Sequence, residues 1–152
     1  MTSHNGQRPK EVVETLVDEL GRLYLFTELG LGLVHALSHM VGATYNTHHG
    51  LTNAVILPVV LRYNQAQITP RLMPVAQALG LPDAEFETFY NAVCALLDRL
   101  EIPRSLAELG VRQADVGAVA RKAMGDPARL TNPRDSTQAQ LEALLTQAIN
   151  HA

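Results

Sequence analysis

Apolar positions along this chain recur mainly at steps of three and four residues, which is the period of an α-helix. Over residues 11–24, Val12, Val13, Leu16, Val17 and Leu20 share one side. Over 27–41 the chain is apolar nearly all round, which predicts a buried helix; Gly30 and Gly32 weaken its start but allow close backbone approach. Residues 42–49 read as a turn. A third helix is predicted over 51–64, with a kink at the internal Pro58. A short helix over 70–79 is stopped by Gly80 and then Pro82. Asp83 is the expected cap of the next, in which Phe86, Phe89, Tyr90, Val93, Leu96, Leu97 and Leu100 recur at helical spacing. Ser105 and Glu108 have capping-box spacing for a single short turn. Helices over 113–124 and 137–149 complete the set, the last opened by Thr137 with Gln140 three residues on. No alternating strand pattern competes, so the expected fold is all-α, a helical bundle.

Composition narrows the class further. A chain of 152 residues is about one domain long, and 47% hydrophobic against 18% charged residues describes a folded chain with one substantial core. With no Trp, three Phe and four Tyr, that core is packed from aliphatic side chains. A net charge of −3 with scattered Lys and Arg leaves no electrostatic footprint for nucleic acid. No apolar run reaches the roughly 18–20 residues needed to span a bilayer, so no membrane partner is expected. The polar N-terminus lacks a signal-peptide core, and a cytoplasmic location is expected. A single cysteine, Cys94, fits a reducing compartment.

Four of the six histidines fall within one short stretch: His35, His39, His48 and His49. His35 and His39 are four apart and project from one helix face. Imidazole binds divalent transition metals and exchanges protons near neutral pH, so the cluster reads as a metal site, an acid–base site, or both. It is not an HExxH zinc motif, because Ala36 and Leu37 stand in the middle. Gly30 and Gly32 do not open a dinucleotide fingerprint, because His35 takes the third glycine position and no strand precedes them. Residues 131–134, Thr-Asn-Pro-Arg, form a proline-restricted loop ahead of the final helix. Thr52 and Asn53 are expected to hold the turn at His49 through backbone hydrogen bonds.

The stretch GLGLVHALSHMVGATYNTHHGLTNAVILPVVLRYN over 30–64 closely resembles a signature region of the iron-containing (group III) NAD(P)-dependent alcohol dehydrogenases. The resemblance continues through LEIPRSLAELGV over 100–111 and MGDPARLTNPRDSTQAQLEALL over 124–145, in family order. It implies that residues 27–152 correspond to most of the C-terminal helical, metal-binding domain of that family, with residues 1–26 a non-matching segment that is helical from residue 11. By resemblance, His35 and His49 fall on two metal-ligand positions. His39 falls on a histidine that lines the nicotinamide and substrate site and is assigned to catalysis, in proton relay. Phe26, Asn132 and Arg134 fall in the vicinity of substrate or cofactor.

Family members hold their metal with an aspartate and a histidine from an upstream helix in addition to this pair, and bind NAD(P) on a separate α/β domain. Residues 1–26 contain no Asp-x-x-x-His helix, since Asp18 is followed four residues later by Arg22. The expectation is therefore a truncated or split alcohol dehydrogenase, the helical half of an NAD(P)-dependent alcohol or aldehyde oxidoreductase. Its divalent metal, iron or zinc as a substitute, would be weakly bound, and NAD(P) would be used only in a complete enzyme. Its partners would be further copies of itself or a separately encoded dinucleotide-binding domain, together with a small alcohol or aldehyde. The competing expectation is a non-catalytic helical module or gene remnant, acting through oligomerisation or weak metal binding.

Overall fold

The structure, a computed structural model, describes residues 32–150. The predicted helix over 11–24 and Phe26 lie outside the described residues. Among those described there are seven α-helices and no strand. They are α1 (Gly32–Tyr45), α2 (His49–Tyr63), α3 (Gln65–Ile68), α4 (Leu72–Leu79), α5 (Phe86–Arg99), α6 (Val116–Met124) and α7 (Gln138–Asn150). Short 3₁₀ turns cover Thr69–Arg71, Leu106–Leu109, Gln113–Asp115 and Pro127–Thr131. No helix among them is long and apolar enough to cross a membrane.

Helices α1 and α2 form the centre. α1 buries Leu33, Val34, Leu37 and Val41, and α2 is buried without interruption from Ala54 to Leu61. α1 packs on α2, on α6 and on the 127–131 turn, while α5 and α7 lie against α2, and α7 also against α6. An apolar helix with no polar face is stable in water only when neighbours cover it on all sides. Leu141, Leu144 and Leu145 of α7, with Val119, Ala120 and Ala123 of α6, complete the aliphatic core.

The helix ends follow from local chemistry, and several differ from the sequence expectation. α1 continues through Gly42 and stops at Asn46, whose positive φ of 54° ends the helix while its N–H donates to Gly42 O at 2.8 Å. Asparagine tolerates that left-handed conformation better than most residues. α2 starts at His49, two residues earlier than expected, and runs unbroken through Pro58 to Tyr63. Asp83 is not the cap of α5; its carboxylate accepts from Glu85 N–H at 3.0 Å and shapes the turn ahead of Phe86. The other signals are realised as read. Gly80, at φ 68°, ends α4 with the bonds Gly80 N–H to Gln77 O and Leu81 N–H to Ala76 O. Glu108 accepts from the backbone N–H of Ser105 at 3.2 Å. Thr137 and Gln140 bond reciprocally at the start of α7.

Two contacts fix the segment over 124–134 against the centre. At Gly32 a Cβ would lie 2.1 Å from Ala128 O and 2.0 Å from Thr131 Oγ1, so the backbones meet where no side chain fits. At the other end, the buried amides of Asn64 and Asn132 donate to each other at 2.8 and 2.9 Å, and Asn132 also donates to Arg134 O at 2.8 Å.

Two stability outcomes follow. Gly32→Ala should destabilise the chain by about 1–3 kcal/mol, because a backbone carbonyl has to move. Asn132→Ala should cost about 1–3 kcal/mol by leaving the buried Asn64 amide without its partner. Urea unfolding followed by far-ultraviolet circular dichroism measures both, and wild-type midpoints for the two variants would contradict these packing assignments.

Candidate metal centre

Between the first half of α1 and the start of α2, three histidines come together. His35 and His39 lie one turn apart on α1, and His49 is the first residue of α2. Ring centroids are 6.2 Å apart for His35 and His39, 6.0 Å for His35 and His49, and 5.3 Å for His39 and His49. Each ring offers a nitrogen, and the three nitrogens all lie within 4.8 Å of one another. The α1–α2 turn produces this arrangement. Thr52 Oγ1 donates to Thr47 Oγ1 and contacts His48 O, and the fold of the turn swings His49 back over α1. His48 is turned to another task, its Nδ1 lying 3.4 Å from Leu51 N at the cap of α2.

Each exposed histidine of the cluster is held by a neighbour. His39 Nδ1 lies 2.9 Å from Asp126 Oδ2, while Asp126 Oδ1 accepts from Ala128 N–H at 2.8 Å. One carboxylate therefore caps the 127–131 turn and orients a ring of the cluster. His49 Nδ1 lies 3.1 Å from Ser38 Oγ, and its Nε2 lies 3.2 Å from Asn53 Nδ2. Asn53 thus acts on the imidazole of His49, not through the backbone as its position suggested. Its Oδ1 is buried without a partner.

Two of the rings are disfavoured in their charged forms, those of His35 and His49. Burial, followed by the neighbouring His49 and His39, lowers the pKa of the half-buried His35, with Asp126 opposing. Burial, then His39 and His48, lowers that of His49. Burial pushes the Asp126 carboxyl up, but the bonds from His39 and from Ala128 N–H outweigh it, and the group stays ionised below its ordinary range. Imidazole nitrogens facing one another beside a carboxylate are a donor set that suits a divalent transition metal.

The remaining expected residues lie in other bonds. Asn132 is buried against Asn64. Arg134 donates to Tyr63 O at 2.9 Å and stacks over the Tyr63 ring. Their hydrogen bonds run to the end of α2, not to the histidine rings. Sequence reasoning missed Asp126 and Ser38. Ser38 is one residue from His39, on the turn that faces His49. Asp126 is 87 positions from His39, and its only local signal, an Asp before a Pro, reads as a helix cap.

Comparison with known proteins places this geometry. The description "Fe-containing alcohol dehydrogenase family, C-terminal" matches residues 23–149. The chain belongs to the iron-containing alcohol dehydrogenase family, by its C-terminal domain. Lactaldehyde reductase of Escherichia coli is 37% identical over 118 residues, covering 74% of this chain and 31% of that protein. Alcohol dehydrogenase 4 of Saccharomyces cerevisiae is 37% identical over 128 residues, covering 83% of this chain and 34% of that protein. The chain thus spans about a third of the length of these relatives. Among solved structures, a 1,3-propanediol oxidoreductase superposes with a TM-score of 0.70 at 33% identity, over 77% of this chain and 32% of that one. An iron-containing alcohol dehydrogenase of Thermococcus thioreducens gives 0.65 at 30% identity, over 76% and 31%. The all-α fold is that of the family's C-terminal domain.

The lowered histidine pKa values set a pH dependence of stability. Both folded values lie below the ordinary value of about 6.5, so below that pH the unfolded chain binds more protons than the folded one. Stability is full above about pH 6.5 and declines as pH falls toward the folded values. The metal-free chain should therefore keep its urea midpoint between about pH 8 and 7 and lose part of it by about pH 5. Replacing both His35 and His49 by Gln should flatten that slope; an equal slope in the double variant would place its origin elsewhere.

Proposed function

We propose that this chain supplies the metal- and substrate-binding half of an NAD(P)-dependent alcohol or aldehyde oxidoreductase. The observation that carries the reading is the convergence of His35, His39 and His49 in a chain of the iron-containing alcohol dehydrogenase family. The nicotinamide would be held by an α/β dinucleotide-binding domain, on the same polypeptide or on another. Leu130, 74% exposed on the turn next to Asp126, is an apolar contact this half offers such a partner or a second copy.

In this reading His35 and His49 hold the divalent metal, iron or zinc, through ring nitrogens kept unprotonated by burial and mutual repulsion. The bound metal supplies Lewis-acid polarisation of the alcohol or carbonyl oxygen. Ser38 orients the His49 ring from its Nδ1 side. His39 takes up or returns the hydroxyl proton at Nε2, since Asp126 engages Nδ1. Two histidines alone make an open site that holds a metal weakly, and the other family ligands complete it.

Fusion of the chain behind an α/β dinucleotide-binding domain of the family, loaded with iron or zinc, tests the reading. Short alcohols should then drive formation of NADH or NADPH, followed at 340 nm. His35→Ala and His49→Ala should abolish it, and His39→Ala should lower kcat by roughly 10²–10⁴-fold, the usual contribution of a positioned acid–base group. Full activity without His35 or His49 would sink the proposal.

A further inference from the structure

We infer that the cleft between the end of α2, α3 and the loop ahead of α7 binds a phosphoryl group, held by Arg62 and Arg134. It lies at the other end of α2 from His49. That helix is 15 residues long, which puts roughly 20 Å between its two ends. The cleft is therefore a second site, separate from the histidine cluster and independent of the reading above.

Three observations carry it. The first is the space. The cleft measures about 520 Å³, within the size range of small-ligand sites, and Arg62, Tyr63, Gln65 and Arg134 line it with no carboxylate among its walls. The second is that both guanidinium groups are already held in place. Arg62 Cζ lies 4.0 Å from the centre of the Tyr90 ring and 5.2 Å from that of Phe86, while Glu87 takes one edge of the group. Arg134 Cζ lies 4.0 Å from the centre of the Tyr63 ring, and its Nη1–H donates to Tyr63 O at 2.9 Å. An arginine fixed against a ring has little rotamer freedom left to lose, so a ligand meets it at low entropic cost. The third is the supply of donors. A guanidinium carries five N–H groups; among the described residues Arg134 spends one of them and pairs with no carboxylate. The side-chain amide of Gln65 makes no hydrogen bond among those residues either.

Two carboxylates stand at the margins. Glu87 holds Arg62 from a side chain that is 60% exposed, and Asp135 follows Arg134 in the chain, also exposed. An ion pair at such exposure contributes little and is screened by salt. A phosphoryl group carries up to two charges and three terminal oxygens, so it competes with Glu87 for Arg62 while also satisfying Arg134. Shape selects between oxyanions. The donors come from two elements, α2 and the 131–134 loop. A planar carboxylate matches one guanidinium fork, whereas a tetrahedral phosphoryl group presents oxygens to both.

The test is titration of the chain with inorganic phosphate and with glycerol 3-phosphate at neutral pH, at ionic strength held constant with sodium chloride. It is read by ¹⁵N NMR of the arginine side chains. Phosphate should shift the Nε–H resonances of Arg62 and Arg134 along one saturation curve and leave that of the exposed Arg121 unmoved. Tighter binding of glycerol 3-phosphate identifies an organic phosphate ester as the occupant, and equal binding identifies free phosphate. Arg62→Gln and Arg134→Gln should each weaken Kd about 10-fold or more, the loss expected for a charged hydrogen-bond donor. Glu87→Gln should tighten it about 2–5-fold, because it frees an edge of Arg62. Circular dichroism shows whether each variant is folded. The wild-type shifts and Glu87→Gln, a change at an exposed side chain, decide the outcome even where an arginine variant unfolds. Shifts that sodium chloride alone reproduces, an unmoved Arg134, a folded Arg134→Gln variant with wild-type Kd, or a Glu87→Gln variant that binds no tighter would each overturn the proposal.

Discussion

The approach of α1 to the 127–131 turn at Gly32 is the constraint on which the rest of the site depends. A carbonyl oxygen occupies the space where any side chain at position 32 would project. Only with that space empty does the turn settle close enough for Asp126 to reach the outer face of α1, where His39 stands. The carboxylate then meets two needs with its two oxygens, the unpaired N–H at the start of the turn and the ring nitrogen of His39. The buried amide pair of Asn64 and Asn132 holds the far end of the same segment to α2. Arg129 ties its middle back to Met124 O. A segment whose regular structure is one short 3₁₀ turn is thus secured at three points.

The cluster itself is an electrostatic compromise. Three imidazoles packed with centroids 5.3 to 6.2 Å apart repel one another when charged, and burial of His35 adds to the cost. The folded chain therefore favours the neutral forms of His35 and His49, which metal binding needs. Asp126 is a carboxylate bonded to this group, and it acts on His39 directly. It also opposes the lowering at His35. The site is consequently poised between proton and metal chemistry.

Burial of α1 and α2 explains why the site sits on secondary structure and not on loops. α1 is covered by α2 and α6, and α2 by α1, α5 and α7, so the positions of His35, His39 and His49 are set by the core beneath them. Leu33, Val34, Leu37 and Val41 face inward on the helix that carries two of the histidines. Rigid elements hold reactive side chains more tightly than loops do.

The sequence alone determined the helical class, because apolar residues at three- and four-residue steps have no other way to share a face. It also carried the stop at Gly80, the box at Ser105 and Glu108, the start at Thr137, and the pairing of His35 with His39, all of which depend on neighbours within four positions. Where it misread an end, a competing local preference had decided: the helix ran on through Gly42, which the sequence reading places in the turn, until Asn46 took the left-handed conformation. What only the tertiary structure decided were the contacts between distant positions. His49 against Ser38, Asp126 against His39, Asn64 against Asn132, and Gly32 beneath Ala128 join residues 11 to 96 positions apart. No periodicity links such pairs. Their proximity is a product of how the helices pack, which is why the donors of the site were legible in the chain and the groups that orient them were not.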